Sequence, residues 1–290
     1  MRIAVVGAAG QLGRELCRLL PAADTIALTR AELDLHDAAA AGARLEALRP
    51  DVVVNCAADN RVDAAETDAR DAVAVNALGV AALARHCRDH DALLVHVSTD
   101  YVFDGRATRP YTEDDAVGPL GAYARTKLAG ELFAQALAPR HAILRVAGLY
   151  AEGGSRGKGG NFVDKVLAQA RAGKPLRIVS DQVTAPTWAR DVAETMVRLV
   201  PRLADGTAPY GVYHVTNAGA CSWHEFARAA LELAEVRAEV TAIGTAELAA
   251  PAPRPAYSVL ANTRLAAVGI PALRPWRDAL AAYLKAGSSA

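Results

Sequence analysis

No stretch of this 290-residue chain approaches the ~18 uninterrupted apolar residues that a membrane-spanning helix needs. Charge of one sign is also missing. Lys+Arg and Asp+Glu stand equal at 32 each, so no overall field recruits a nucleic acid polymer or an anionic membrane. Cys17, Cys56, Cys87 and Cys221 lie far apart inside apolar patterns with no Cys-x-x-Cys pair, and read as reduced core thiols of a cytoplasmic protein. The apolar run after Arg2 reaches glycines too soon for a signal peptide. His86 and His90 fall at i and i+4, but the sequence offers no third ligand, so they read as exposed helix residues and no metal site is expected. What these absences leave is a soluble, intracellular protein with a small partner, long enough to bury a large core as one domain or as a domain with a lobe.

What the sequence does have is a repeated alternation of short apolar runs and helical patterns. Ile3-Ala-Val-Val6 reads as a strand buried on both faces and leads into Gly7-Ala-Ala-Gly10-Gln11-Leu12-Gly13 and then a helical pattern through Leu16, Leu19 and Leu20. In that setting Gly7 makes a tight turn, Gly10 lets the backbone approach a phosphate, and Gly13 lets the helix pack closely on the strand. An ordinary strand-to-helix turn is the alternative. A second strand, Thr25 to Leu28, ends at Thr29-Arg30, where a hydroxyl and a guanidinium suit a 2′-phosphate and favour NADPH, with NADH as the alternative if Arg30 only points into water. Asp34-Leu35 is placed to border an adenine ring. The third strand, Val52 to Asn55, ends in Cys56-Ala57-Ala58, small residues that let a cofactor approach. A long helix is expected from Ala69 to Arg88, then a fourth strand from Ala92 to Val97. This order implies an α/β fold with a doubly wound parallel sheet, whose ligands bind beyond the carboxyl ends of the strands.

The fourth strand delivers Ser98-Thr99-Asp100-Tyr101 to that edge. Downstream, Gly118, Pro119 and Gly121 precede Tyr123-Ala-Arg-Thr-Lys127, with Leu128, Leu132, Phe133 and Leu137 continuing at helical spacing. Tyr123 and Lys127 therefore share one helix face. A phenol with an ordinary pKa of ~10 is a poor proton exchanger near neutrality, and an adjacent ammonium is expected to lower it. Tyr and Lys at this spacing also occur on solvated helix faces; the dinucleotide turn and the Thr99 hydroxyl are what make them a candidate catalytic set with Thr99.

Beyond a fifth strand, Ala142 to Val146, the segment Glu152 to Gly160 is glycine-rich and reads as a hinge or substrate-covering loop; it lacks the Lys-Ser/Thr pair of a P-loop. Asn161-Phe162 opens a helix to Ala172. A strand at Leu176 to Val179, helices Ala189 to Leu199 and Trp223 to Ala234, a strand Gly211 to Val215 and the Pro/Arg-rich stretch Pro251 to Leu260 complete the chain. The expected division is a dinucleotide-binding part over 1–150, rejoined by about 180–218, and a substrate lobe from 151–179 and 219–290.

With these residues in view the chain resembles an extended short-chain dehydrogenase/reductase, and within that group it is most similar to the dTDP-4-dehydrorhamnose reductase family. The likeness rests on Gly7 to Gly13, Asn55-Cys-Ala-Ala58 with Val62-Asp63 and Ala65-Glu66, Val97-Ser-Thr-Asp-Tyr-Val-Phe-Asp-Gly105, Tyr123 with Lys127, Gly160-Asn-Phe162, Asp181-Gln182 with Pro186-Thr187, and Arg254-Pro255 with Ser258 and Leu260. The resemblance implies hydride transfer from NADPH or NADH to the C4 keto carbon of a nucleotide-linked 6-deoxyhexose. Tyr123 would donate the proton, Lys127 would lower its pKa and hold the nicotinamide ribose, and Thr99 would orient the carbonyl. Gly7, Gly10, Gln11, Leu12, Gly13, Thr29, Arg30, Asp34, Leu35, Cys56, Ala57 and Ala58 would serve the cofactor. Thr99, Asp100, Tyr101, Gly148, Asn161, Phe162, Gln182 and Arg254 would serve the sugar nucleotide. Two positions depart from the family: Asp59-Asn60 follows the Asn-x-Ala-Ala run, and Gly148 stands where many members carry a tryptophan, so a related but different deoxysugar stays open. Two other readings share these residues: a nucleotide-sugar epimerase or dehydratase, and a non-catalytic NADP-binding regulatory subunit. A homodimer is also open.

Overall fold

The apolar runs become six strands of one sheet in the computed structural model, which describes residues 1–154 and 160–287. β1 (Ile3–Val6), β2 (Thr25–Leu28), β3 (Val52–Asn55), β4 (Leu93–Thr99), β5 (His141–Val146) and β6 (Gly211–His214) pair in the order β6-β5-β4-β3-β1-β2, every pairing parallel. A parallel sheet needs cover on both faces, and every residue of β1 and β3 is buried.

Helices α1 (Gln11–Leu19), α2 (Ala38–Leu48), α3 (Gly79–Asp89), α4 (Ala122–Leu137) and, past α5 (Phe162–Arg171), α6 (Ala189–Ala204) supply that cover, while α5, α7 (Trp223–Leu233) and α8 (Trp276–Gly287) pack on one another. The strand period of two sorts the layers. Ile3 and Val5 face a core with Leu12 and Leu16 of α1 and Val192, Met196 and Leu199 of α6, while Ala4 and Val6 face one with Leu45 of α2, Val80 and Leu83 of α3, and Ala134 of α4. A separate aromatic core joins α5, α7 and α8 through Tyr150, Val163, Leu167, Phe226, Leu280 and Tyr283. Beside it Leu176–Val179 pairs in parallel with Val240–Ile243.

Two details differ from the sequence expectation, and a third lies partly outside the described residues. The helix expected from Ala69 to Arg88 is broken into Arg70–Val73, a π-helical turn Ala74–Leu78 and α3. The Gly79 amide donates to the Ala74 carbonyl, five residues back, and α4 comes so close there that a Cβ on Gly130 would lie 2.2 Å from the Asn76 oxygen. The helix expected to stop at Leu199 runs on to Ala204. Of the glycine-rich segment Glu152 to Gly160, residues 155–159 lie outside the described residues, so the hinge or cover expected there is not placed. Its entry is fastened, because Arg14 of α1 donates to the carbonyls of Glu152 and Gly154 at 2.6 and 3.0 Å.

The two most specific motifs of the sequence meet in space. Gly105 has φ +76°, and a Cβ there would lie 2.6 Å from Pro255, so the Val97 to Gly105 run and the Arg254 to Leu260 run lie against each other. Tyr111 then bridges to Leu260, stacked on Phe103 at 4.1 Å.

Candidate active site

The glycine turn after β1 is built by exclusion. Gly7 has φ +79°, and a Cβ on it would lie 2.7 Å from the Ala57 amide; one on Gly13 would lie 2.3 Å from the Gly7 carbonyl. Gly10 is the N-cap of α1, no side chain caps that helix, and no acid stands in its first turn. The positive end of α1 is thus open to an anion. Beside it, Gln11 Oε1 is buried with no hydrogen-bond partner among the described residues. An orphaned acceptor costs ~1–3 kcal/mol, so this one fits a site that receives a donor from a ligand. Leu12 is buried beneath the turn. These features fit a bound dinucleotide.

At the end of β2, Glu32 takes both the amide and the hydroxyl of Thr29, at 2.6 and 2.5 Å. Arg30 is mostly exposed and pairs with Asp34 at 3.1 Å. Two neighbours depart from expectation. The Asp34 carboxylate, expected to take an adenine amino group, is committed to Arg30 and to the His36 amide and ring; despite partial burial, these bonds hold it down at about 2. Leu35, expected to border the ring, is 3% exposed and packs under Gly79. At the end of β3, Cys56 and Ala57 are half-buried and Ala58 is exposed. Burial pushes the Cys56 thiol up to about 12, which keeps it protonated and inert.

The end of β4 carries the chemistry. The Thr99 hydroxyl lies close enough to the Tyr123 phenol to lower its pKa, and it donates to Asp100 Oδ1 at 3.1 Å and accepts from the Tyr101 amide at 3.2 Å. Tyr123 does not behave as the sequence suggests. Burial, with Asp100, Tyr101 and Asp59 adding, drives the phenol well above its ordinary value, and the Thr99 hydroxyl is what opposes them. A phenol that keeps its proton is a donor. Tyr101 meets Tyr123 edge-on at 6.2 Å and lies beside Arg254, which grips Asp63 through two bonds of 3.0 Å.

Lys127 is 2% exposed and sits one layer down. Its ammonium donates to the Val97 carbonyl at 2.7 Å and faces His96 Nε2 at 3.4 Å. The Ala57 amide donates to Asn55 Oδ1, which turns the Asn55 NH2 toward His96 Nδ1 at 3.1 Å. Nδ1 then accepts, Nε2 carries the proton, and that N–H points at the lysine nitrogen. Burial brings Lys127 down to about 8, while the Glu131 carboxylate and Cys56 pull it up. Glu131 is itself buried, holding Arg145 of β5 at 2.7 Å and accepting from Ser98 at 2.5 Å. His96, Glu131 and Arg145 were given no role by sequence reasoning, and Asn55 entered it only as part of the Asn55-Cys-Ala-Ala58 motif; a polar residue inside an otherwise apolar strand was the available signal for Asn55 and His96. Glu66, which accepts from the uncapped first amide of α4, could be read only as part of a motif.

On the substrate side three expectations need correction. Asp100 is 3% exposed, and Thr99, Thr184 and Ser258 occupy its carboxylate, so it supports Thr99 from behind instead of facing a sugar; burial pushes it up to about 6. Asn161 is spent as the N-cap of α5, with its amide on the Ala151 carbonyl and the Tyr283 hydroxyl. Gln182 is buried and donates to Thr245. Phe162 lies 4.7 Å from Trp223, centroid to centroid. Gly148 has φ +51°, and the indole of Trp223 lies 3.3 Å from where its Cβ would be, so a tryptophan from α7 fills the space beside this glycine.

A family model described as the RmlD substrate binding domain matches residues 1–289. A dTDP-4-dehydrorhamnose reductase of Streptomyces griseus is 42% identical over 280 residues, covering 95% of this chain and 90% of its own length. The crystal structure of a dTDP-4-dehydrorhamnose reductase from Clostridium acetobutylicum superposes with a TM-score of 0.92 at 37% identity, over 99% of both chains. That of the Bacillus anthracis enzyme in complex with NADP gives 0.92 at 30% identity, over 98% of this chain and 99% of the other. Since both the family model and these relatives run almost the full length of the sequence, the chain belongs to the dTDP-4-dehydrorhamnose reductase family of extended short-chain dehydrogenase/reductases.

Proposed function

We propose that this chain is an NADPH-dependent reductase of the 4-keto group of a dTDP-linked 6-deoxyhexose. The observation that carries the reading is the Thr99 hydroxyl set against the Tyr123 phenol at the carboxyl end of β4, with buried Lys127 one turn further along α4 and the glycine turn on the same sheet edge. Bound NADPH supplies the hydride that reduces the carbonyl carbon. The chain's own residues do the rest. Thr99 and Tyr123 hold the carbonyl oxygen, and the Tyr123 phenol gives its proton to that oxygen as it becomes an alkoxide, so one hydride and one proton yield the alcohol. Lys127, still charged near neutrality, stabilises the phenolate left behind and is kept in place by the Val97 carbonyl. Gly7 to Gly13 with the α1 N-terminus hold the pyrophosphate, and Thr29 with Arg30 lie where the ribose end of a dinucleotide falls. We assign the six-stranded sheet to the cofactor and the aromatic core of α5, α7 and α8 to the sugar nucleotide, with Tyr101, Phe162, Trp223 and Arg254 bordering it.

The test is to mix the protein with dTDP-4-keto-6-deoxyhexoses and follow the loss of NADPH absorbance. The expected result is stoichiometric oxidation, abolished in practice by Tyr123→Phe while NADPH binding persists. Turnover of the sugar without net loss of NADPH would indicate an epimerase or dehydratase instead. Function untouched by Tyr123→Phe would indicate a binding subunit.

A further inference from the structure

The opposite edge of the sheet carries a second constellation that the reductase reading does not use. α2 leads into β3 and α3 into β4, so the carboxyl ends of both helices lie at the amino-terminal edge, on the far side from Thr99. His86 and His90 stand one turn apart on α3 with ring centroids 4.5 Å apart. From the last turn of α2, Glu46 reaches the same point. Its carboxylate contacts His90 Nε2, and one ligand-capable atom from each of Glu46, His86 and His90 lies within 4.8 Å of the other two. This is the third donor that the sequence spacing could not reveal. His86 is 6% exposed, and its Nε2 is buried with no hydrogen-bond partner among the described residues. A native interior rarely leaves an imidazole nitrogen so, and a bound ligand would remove the cost.

We infer that Glu46, His86 and His90 form a binding site for one borderline divalent cation of the Zn2+ class. Two imidazoles and one carboxylate suit Zn2+, with Ni2+ and Cu2+ as competitors and solvent completing a four-coordinate shell. Mg2+ is disfavoured because it seeks oxygen donors. The local opponent is Arg49, whose guanidinium holds the other oxygen of Glu46 and reaches His90 Nδ1 at 3.4 Å. Its charge weakens the site without occupying Glu46 Oε2, while Asp89 lies near enough to favour a cation. The ion would staple α2 to α3, and because the unfolded chain lacks the site, binding would raise the melting temperature. The inference is independent of the reductase reading.

The experiment uses the full chain, stripped with chelator and titrated with ZnCl2 alone, without nucleotide or sugar, by calorimetry and by thermal denaturation. One ion per chain and a Zn2+-dependent rise in melting temperature are expected, and Co2+ should give the visible absorption of a four-coordinate site with no thiolate charge-transfer band. His90→Ala and Glu46→Gln should each weaken binding by about tenfold or more. Arg49→Ala should tighten it. Glu46→Gln should leave keto-sugar turnover unchanged. No saturable binding, binding unchanged in both His90→Ala and Glu46→Gln, or a thiolate band placing the ion on cysteine would overturn the assignment.

Discussion

Glu131→Gln isolates the buried charge beneath the active site. Glu131 is 1% exposed and Arg145 5%, the pair is joined at 2.7 Å with two further contacts of 3.1 and 3.2 Å, and the guanidinium also lies 5.1 Å over the Phe103 ring. Glutamine keeps the shape and one acceptor for Ser98 but leaves Arg145 charged and uncompensated. Removing one partner of such a pair costs about 3–5 kcal/mol. Against a total stability of about 5–15 kcal/mol, that is a large share of what holds the fold. Replacing both partners by Glu131→Leu and Arg145→Met removes both charges together and leaves only the Ser98 hydroxyl unpaired, so the double variant should recover most of the loss. Equilibrium urea denaturation of the wild type, Glu131→Leu, Arg145→Met and the double variant closes the cycle, with Glu131→Gln measured beside it. A second readout follows from Lys127, which the Glu131 carboxylate pulls upward. The alkaline limb of the Glu131→Gln rate profile should therefore shift to lower pH. A loss under about 1 kcal/mol in Glu131→Gln, with a double variant no better than the sum of the singles, would refute the claim that this pair is desolvated and coupled.

Activity of the wild type should fall as pH rises through about 8, where Lys127 loses its proton, and Lys127→Arg should push that limb upward because a guanidinium stays charged. For stability the sign is opposite: the folded lysine lies below its unfolded value of ~10.4, so the unfolded chain binds more protons between the two, and denaturation midpoints should rise across that window. Gly13→Ala should abolish measurable NADPH binding by fluorescence titration, since its Cβ would meet the Gly7 carbonyl at 2.3 Å and neither backbone can yield without opening the turn. Arg30→Ala should raise the Kd for NADPH more than that for NADH, by about 5–30-fold for a charge-assisted contact of about 1–2 kcal/mol at an exposed position. Equal effects on both cofactors would remove Arg30 from the 2′-phosphate.

The sheet was readable from sequence because β1, β3 and β4 are apolar runs closed by glycine or small residues, and burial on both faces permits little else. The order Thr99, Tyr123, Lys127 was readable because each follows a strand end or a helix start. Polar positions were not readable as roles. Asp100, Asn161 and Gln182 sit in the right motifs, yet their side chains are consumed by Ser258, Tyr283 and Thr245, partners 63 to 158 residues away in a chain whose long-range pairings a linear pattern does not encode. The same limit hid Glu46 from His86 and His90. The lysine's effect on Tyr123 was misjudged for a different reason: spacing gives proximity, whereas burial sets the sign.

The wide turn at Ala74–Leu78 has a bearing on what this gene can lose. One surplus residue per turn offsets the helix by about 100°, which lets Asn76 grip the loop after β3 through Asp59 while reaching Thr126, and still leaves Val80, Leu83 and Cys87 seated on the sheet. Deleting a single codon there would give a straighter rod with a more regular ladder of bonds. It would also swing one half of that rod away from its partner, so the tidier helix would belong to the poorer protein.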